Sequence, residues 1–364
     1  MKRYLLFSLI LCLAVFAANA QKISKPTLTP VPETPEQSAI VKAATALHDA
    51  KNYDAAIVKY KSVLAENPDS TYALYELALT YYTKGDLQNA METAVRGSKY
   101  SSTELPMFYG IIANILDDLK KPNEALKIYN DALNILGDDE RFTREIADLH
   151  FNMGITYFRL NKNPEARNEL KKAIEMDFPR ASPHYILSEL YYAGKYKVPS
   201  IIAGLRFATL ELNSDRSKRA AAIVMLGLAP AKKSKNGNIE IFFDINAPKD
   251  EGDYGMYDLL LGTLGVVDKD KDKNAKPKTE AEKFQDSLST FIGLLGGDKN
   301  LKETFVGKQY VPFLVDLKAA GHLETLANLV QFQSGANEEA GKWVLANIPK
   351  VTALNKWSKD YQGK

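Results

Sequence analysis

Few residues in this chain have the types and spacing that chemistry requires. Asp268, Asp270 and Asp272 alternate in DKDKDKNAKPKTE, residues 268–280, and alternating carboxylates open a calcium loop. Such a loop also needs glycine at its sixth place for the sharp turn and a bidentate glutamate at its twelfth. Lys273 and Thr279 stand at those places, and Lys269, Lys271 and Lys273 cancel the charge that would attract the ion. A solvated linker between two helices is expected there.

His150 and His184 are separated by 34 residues. Two imidazoles with no thiolate and no third ligand make a poor metal site, so packing roles are expected for both. His48 and His322 stand in no recognisable motif. No nucleophile elbow, phosphate loop, zinc-protease helix or dinucleotide fingerprint occurs. GLLGGDKN, 293–300, follows a helical segment instead of opening one, so its glycines read as a helix stop. No catalytic residue, metal ligand or cofactor site is assigned, and no cofactor is expected.

The chain has 364 residues, 45% of them hydrophobic, enough for two or three domains with their own cores. Its 47 lysines and arginines nearly balance 45 acidic residues, so no overall charge draws it to nucleic acid or an anionic membrane. The first residues, MKRYLLFSLILCLAVFAANAQ, place Lys2 and Arg3 before an apolar run and Ala18-Asn19-Ala20 after it. This reads as a secretory signal over 1–20, because the run is shorter than the roughly 20 residues a membrane-spanning helix needs. Cys12, the only cysteine, lies inside that signal and follows Leu11, which is not the small residue a lipoprotein signal places there. An exported protein, periplasmic or secreted, is expected, with no disulfide and no stable membrane anchor after cleavage. Residues 21–36 carry Pro26, Pro30, Pro32 and Pro35 and are expected as a proline-rich tether.

From residue 37 a period emerges. Ala56, Tyr60 and Pro68 recur 34 residues on as Ala90, Ala94 and Ser102. Ala125, Tyr129 and Ala132 follow with one residue of slip, then Ala166, Leu170 and Ala173. A preceding helix pairs with each: Leu77-Ala78 with Tyr81, Ile112-Ala113 with Leu116, Met153-Gly154 with Tyr157, Leu187-Ser188 with Tyr191. Small side chains let adjacent helices approach, and tyrosines fill the gaps between them. Turns are marked by Lys51-Asn52, Gly85-Asp86, Lys121-Pro122 and Asn163-Pro164.

The pattern resembles the tetratricopeptide repeat, a helix-turn-helix unit of about 34 residues. The resemblance covers 37–213, about five units, although no tryptophan opens any unit and Ser200 replaces the second-helix alanine of the fifth, which reads as an atypical cap. After Asp215 the pattern breaks. Asn236-Gly237 before the run Ile239 to Ile245 predicts a short hairpin. Helical signals then resume over Tyr257 to Val267, Glu280 to Leu295, Tyr310 to Ala320, Leu323 to Gln333 and Glu338 to Trp357. The expected fold is all-α: a helical-hairpin solenoid followed by a mostly helical C-terminal domain over 214–364. The order is similar to uncharacterised secreted tetratricopeptide proteins of the Bacteroidetes type, a likeness that carries no activity across.

What the resemblance implies about function is a concave face lined by the first helices. The matching positions are Tyr72, Tyr75, Leu79 and Tyr82; Met107, Asn114 and Asp117; Phe151, Ile155, Phe158 and Arg159; Tyr185, Glu189 and Tyr192. Aromatic rings give large contact area with few rotatable bonds to freeze, which suits a surface that grips a peptide or helix. The same rings serve equally well as core between curved helices or under the C-terminal domain. Family members that clamp a free C-terminal carboxylate use lysine and arginine around asparagines in this groove. Asn114 matches one such place, but Phe151 and Ile155 occupy the basic ones, so a carboxylate clamp is not expected. The leading expectation is a non-enzymatic exported scaffold that binds a protein or peptide partner; the alternative is a glycan or small-ligand module of the cell envelope.

Overall fold

The computed structural model describes residues 23–229, 232–233, 239–240, 248–263 and 278–363. The expected signal over 1–20, the Asn236-Gly237 turn and residues 268–277 of the aspartate-lysine segment lie outside them. The chain divides into two compact units, 1–169 and 170–364.

The first unit is a row of helical hairpins. Its helices are α1 (Pro35–Asp49), α2 (Tyr53–Glu66), α3 (Thr71–Lys84), α4 (Leu87–Gly97), α5 (Leu105–Asp118), α6 (Pro122–Leu136) and α7 (Thr143–Arg159), and α8 (Asn163–Met176) runs through the division. From α1 to α7 each helix packs on the next, and the first helices α1, α3, α5 and α7 also pack on one another in order. The predicted small residues Ala56, Ala78, Ala90, Ala113, Ala125 and Ala166 are all fully buried, as are Tyr60 and Tyr129 beside them. Close approach is enforced most tightly at Gly97, where an added Cβ would lie 2.2 Å from the Phe108 ring.

One turn closes every hairpin. Lys51, Gly85, Lys120, Asn161 and Lys195 all adopt positive φ, between 57° and 86°. The following amide bonds back to a carbonyl in the helix: Asn52 to Leu47, Asp86 to Tyr81, Lys121 to Leu116, Lys162 to Tyr157 and Tyr196 to Tyr191, at 2.8–3.0 Å. That left-handed C-terminal cap satisfies carbonyls the helix leaves open and reverses the chain in three residues.

α1 starts at Pro35, two residues before the expected repeat boundary. Thr34 accepts from the Gln37 amide and Gln37 returns the bond to the Thr34 amide, a reciprocal cap, and Pro35 loses nothing in the first turn. The proline-rich residues before it run extended along the repeats. The Thr27 and Leu28 amides donate to Lys99 O at 3.0 Å, the Ser101 amide donates to Leu28 O at 2.8 Å, and Val31 donates to Asp69 O at 3.2 Å.

The second unit contains α9 (Ala181–Ala193), α10 (Lys197–Leu210), α11 (Asp215–Gly227), α12 (Gly255–Thr263), α13 (Glu280–Gly297), α14 (Val311–Ala319), α15 (Leu323–Ser334), α16 (Glu338–Ala346) and α17 (Ile348–Asp360). An antiparallel ladder pairs β1 (Lys232–Lys233) with β2 (Ile239–Glu240) at the place of the expected hairpin. The fifth hairpin, α9–α10, which the sequence groups with the repeats up to 213, belongs to this unit. The reason is α10: every residue from Val198 to Leu210 is buried, against α9, α11, α12, α15 and α17. Its apolar residues fall on every side and even Ser200, Arg206 and Thr209 are buried, which marks a core helix and not a one-sided repeat helix. The single helix expected over Glu338 to Trp357 is two, because Pro349 cannot continue a helix and Asn347 forms the junction.

At the centre of this unit lies Arg206, 0% exposed and stacked between the rings of Phe178 and Phe313, each 4.4 Å away. It donates to the Phe178 carbonyl at 3.1 Å and to the Ser358 carbonyl at 2.9 Å, and also to the Ser358 hydroxyl. Burial pulls its guanidinium down to about 9, which leaves it charged at neutral pH.

Candidate functional site

In the first unit the expected residues lie along the first helices. Tyr72, Tyr75, Leu79 and Tyr82 recur at helical spacing on α3, and Tyr72 is 43% exposed while the other three are half-buried. Phe158 on α7 is also 43% exposed, with the half-buried Phe151 and Ile155 two turns and one turn before it. Tyr75 is spoken for in part, its ring meeting Phe108 edge-on with 6.2 Å between centroids.

Polar side chains stitch this row of helices together. His48 of α1 hydrogen-bonds Thr80 of α3 at 2.8 Å. The Tyr82 hydroxyl of α3 donates to Asp118 of α5 at 2.7 Å. Asp117 of α5 accepts from Thr156 of α7 at 3.2 Å and from Arg159. Burial and the Asp118 carboxylate both hold the Tyr82 phenol well above its usual range. Glu76, buried between Tyr60 and Tyr72, has its carboxyl raised by desolvation, and its Oε2 accepts from the Tyr60 hydroxyl at 3.4 Å. Burial pushes the Tyr60 phenol up to about 12.

These bonds decide what each expected residue can offer a ligand. Arg159 already faces Asp117, and Asn114 accepts the Tyr129 hydroxyl at 2.6 Å, so its carbonyl oxygen is occupied inside the unit. The exposed ring surfaces of Tyr72 and Phe158 are the open part of the face. Such surfaces bind by area and by cation–π contact.

In the second unit Tyr185 and Tyr192 lie on α9. Tyr185 leans on Phe207, centroids 5.1 Å apart, and Tyr192 is 42% exposed. Sequence reasoning missed their cationic neighbours. Arg216 of α11 stands 5.6 Å from the Tyr185 ring, and Arg219 stands 5.5 Å from the Tyr192 ring while donating to Glu189 at 2.9 Å. A signal for them existed: a further step of 34 from Ala181 lands on Asp215, the first residue of α11, and from Tyr185 on Arg219. The helical phase outlives the consensus residues.

The two repeat-equivalent histidines have different neighbours. His150 Nδ1 is 2.6 Å from Glu169 Oε2. His184 is buried, its Nε2–H donating to the Phe178 carbonyl and its Nδ1 accepting from the Tyr310 hydroxyl, both at 2.8 Å. Among the described residues no three His, Cys, Asp or Glu side chains gather as metal ligands would. No described helix is long and apolar enough to cross a membrane.

A second concavity of 680 Å³ lies at the loop edge of the first unit. Pro26, Pro30 and Pro32 of the extended N-terminal segment form one wall, and Tyr72, Ser102 and Arg141 stand among the other lining residues.

Residues 47–115 match a family model described as tetratricopeptide repeat, and residues 147–179 match a second model of the same description. The chain therefore contains tetratricopeptide repeats in these segments. No curated protein matches it. Among solved structures, PilF of Pseudomonas aeruginosa is 18% identical, covering 52% of this chain and 82% of its own, with a TM-score of 0.45. PilW, a type IV pilus biogenesis factor, is 15% identical over 54% of this chain and 87% of its own, at 0.45. A thermophilic tetratricopeptide protein of Thermus thermophilus is 21% identical over 52% of this chain and 99% of its own, at 0.41.

Proposed function

We propose that this chain, whose tetratricopeptide repeats are the premise, is a non-enzymatic exported scaffold that binds a protein or peptide partner through the ring-bearing face of its first helices. The observation that carries the reading is the exposure of two large rings, Tyr72 and Phe158, each 43%, on helices whose other apolar side chains are buried or half-buried. Leaving such rings in water forgoes burial energy that a partner recovers, and a flat ring anchors a peptide without freezing many bonds. Export rests on the N-terminal signal pattern, Lys2-Arg3 with its apolar run and Ala18-Asn19-Ala20.

The test is in-cell crosslinking from photoreactive residues placed at 72 and 158 of the full chain, followed by identification of the joined peptides. A reproducible protein partner that is lost on Tyr72→Ala with Phe158→Ala, while the melting temperature holds, supports the reading. Joined peptides that come only from this chain's own helices, with no partner, would sink it. A signal to lipid-linked sugar and none to protein would transfer the role to glycan binding.

A further inference from the structure

We propose that the row of loops at the edge of the first unit is a binding track for an extended, proline-punctuated peptide, and that residues 23–33 are its resident occupant, which a partner segment of the same kind displaces. The way residues 23–33 are held is that of a bound peptide. They touch three successive places on the repeats in reverse order of the chain: Ser24 O accepts from Tyr109, Thr27 and Leu28 pair with Lys99 and Ser101, and Val31 pairs with Asp69. Asn67 adds a side-chain donor to the carbonyls of Val31 and Pro32 at 3.2 and 3.3 Å. Leu28 and Tyr100 form a parallel bridge.

Recognition is thus carried by backbone groups, as when a strand is added to an edge. Pro26, Pro30 and Pro32 fall at residues whose amides these bonds do not use, so the prolines stiffen the segment without costing a contact. Core-like packing is confined to the start of the segment, where half-buried Ile23 rests against the core of the first unit. Leu28 is 43% and Val31 48% exposed, and the 680 Å³ cavity lies beside the segment with its prolines as one wall. A segment locked into a core does not leave large apolar groups in water beside an open cleft. The occupant stays bound because its tether keeps it at high effective concentration. A partner segment that also filled the cavity, against Tyr72 and Arg141, would make contacts the resident does not.

Two measurements on the full chain test this. The first is hydrogen exchange of the unaltered protein. The Thr27, Leu28 and Val31 amides should exchange at least about 100-fold faster than the Leu77 and Ile112 amides of the core, by an opening that leaves the helices intact. Equal protection would mean the segment is an integral part of the fold and would overturn the proposal. The second uses a fluorescent peptide of residues 22–34 and the variant Leu28→Pro with Val31→Pro, which removes two of the segment's donors without shortening the chain. The peptide should bind the variant at least about tenfold more tightly than the unaltered protein, because the resident competes in the latter. Asn67→Ala in that background should weaken the peptide again. Equal affinity for both proteins, or no binding to a variant that still melts cooperatively, refutes the track.

Discussion

A histidine sealed away from water must be neutral or be matched by an anion, and His184 has taken the first course. Its two ring nitrogens are both used, one donating to Phe178 and one accepting from Tyr310. Desolvation, with the Arg206 charge beside it, lowers the imidazole to about 3 from 6.5. Between those values the unfolded chain binds a proton that the folded chain refuses. The stabilising contribution is therefore complete above pH 6.5 and is lost as the pH falls toward 3, at about 1.4 kcal/mol per pH unit. Denaturant melts of the second unit should show this decline from about pH 6.5 to about pH 5, and His184→Gln should flatten it. An equally steep decline in the variant would remove His184 as its source. The sequence showed the 34-residue spacing of His150 and His184, but not their different fates. Tyr310 lies 126 residues from His184 in the chain, and no local pattern announces that meeting. The groove residues divide similarly: their positions followed from the period, but the bonds that occupy Asn114 and Arg159 depend on neighbouring helices.

Among the elements, the hairpin turn is the most regular device. Five turns place a residue at positive φ, and only Gly85 among them is a glycine. For a side chain with a Cβ the left-handed region costs about 1–2 kcal/mol, which glycine avoids at some cost in unfolded-chain entropy. Lys120→Gly should accordingly raise stability, by up to about 1 kcal/mol, and Gly85→Ala should lower it by a similar amount. Thermal melts of the two variants should move in opposite directions; movement in the same direction would show that the turn's strain is not what they report. The same closure appears outside the repeats. Gly321 at φ 80° lies between α14 and α15, and the His322 amide returns to Leu317 O at 3.1 Å. Ala336 bonds back to Gln331 in the same way after Gly335. The helices there were legible from their apolar spacing. The turn's kinship with those of the repeats was not, because glycine before a polar residue is too common a signal.

For the whole molecule, the division after Glu169 is the feature that sequence reasoning placed elsewhere, at 213. The repeat period runs through both sides of it and even into α11, so periodicity alone cannot mark the place. Burial does, since α10 is enclosed on most sides by helices that come after it in the chain. The enclosure converges on Arg206 and its bond to Ser358, 152 residues away. Removing that hydroxyl by Ser358→Ala leaves part of a buried charge unpaired and should cost about 2–3 kcal/mol. Hydrogen exchange should localise the loss to α9, α10 and α17 and leave α3 and α5 unchanged. A uniform loss across α3, α5 and α10 would mean that the two units unfold as one.

The extended segment before α1 imposes an order of events. It is made before the groups that hold it: Asp69, then Lys99 and Ser101, then Tyr109, 85 residues beyond Ser24. Loops closed over such distances form after local helices do. The segment settles in steps, Val31 first and Ser24 only once α5 exists, so its full docking works as a completion mark for the hairpins it spans. A chain halted before Asp69 would carry these N-terminal residues loose, as an open handle for whatever chaperone or protease attends its folding.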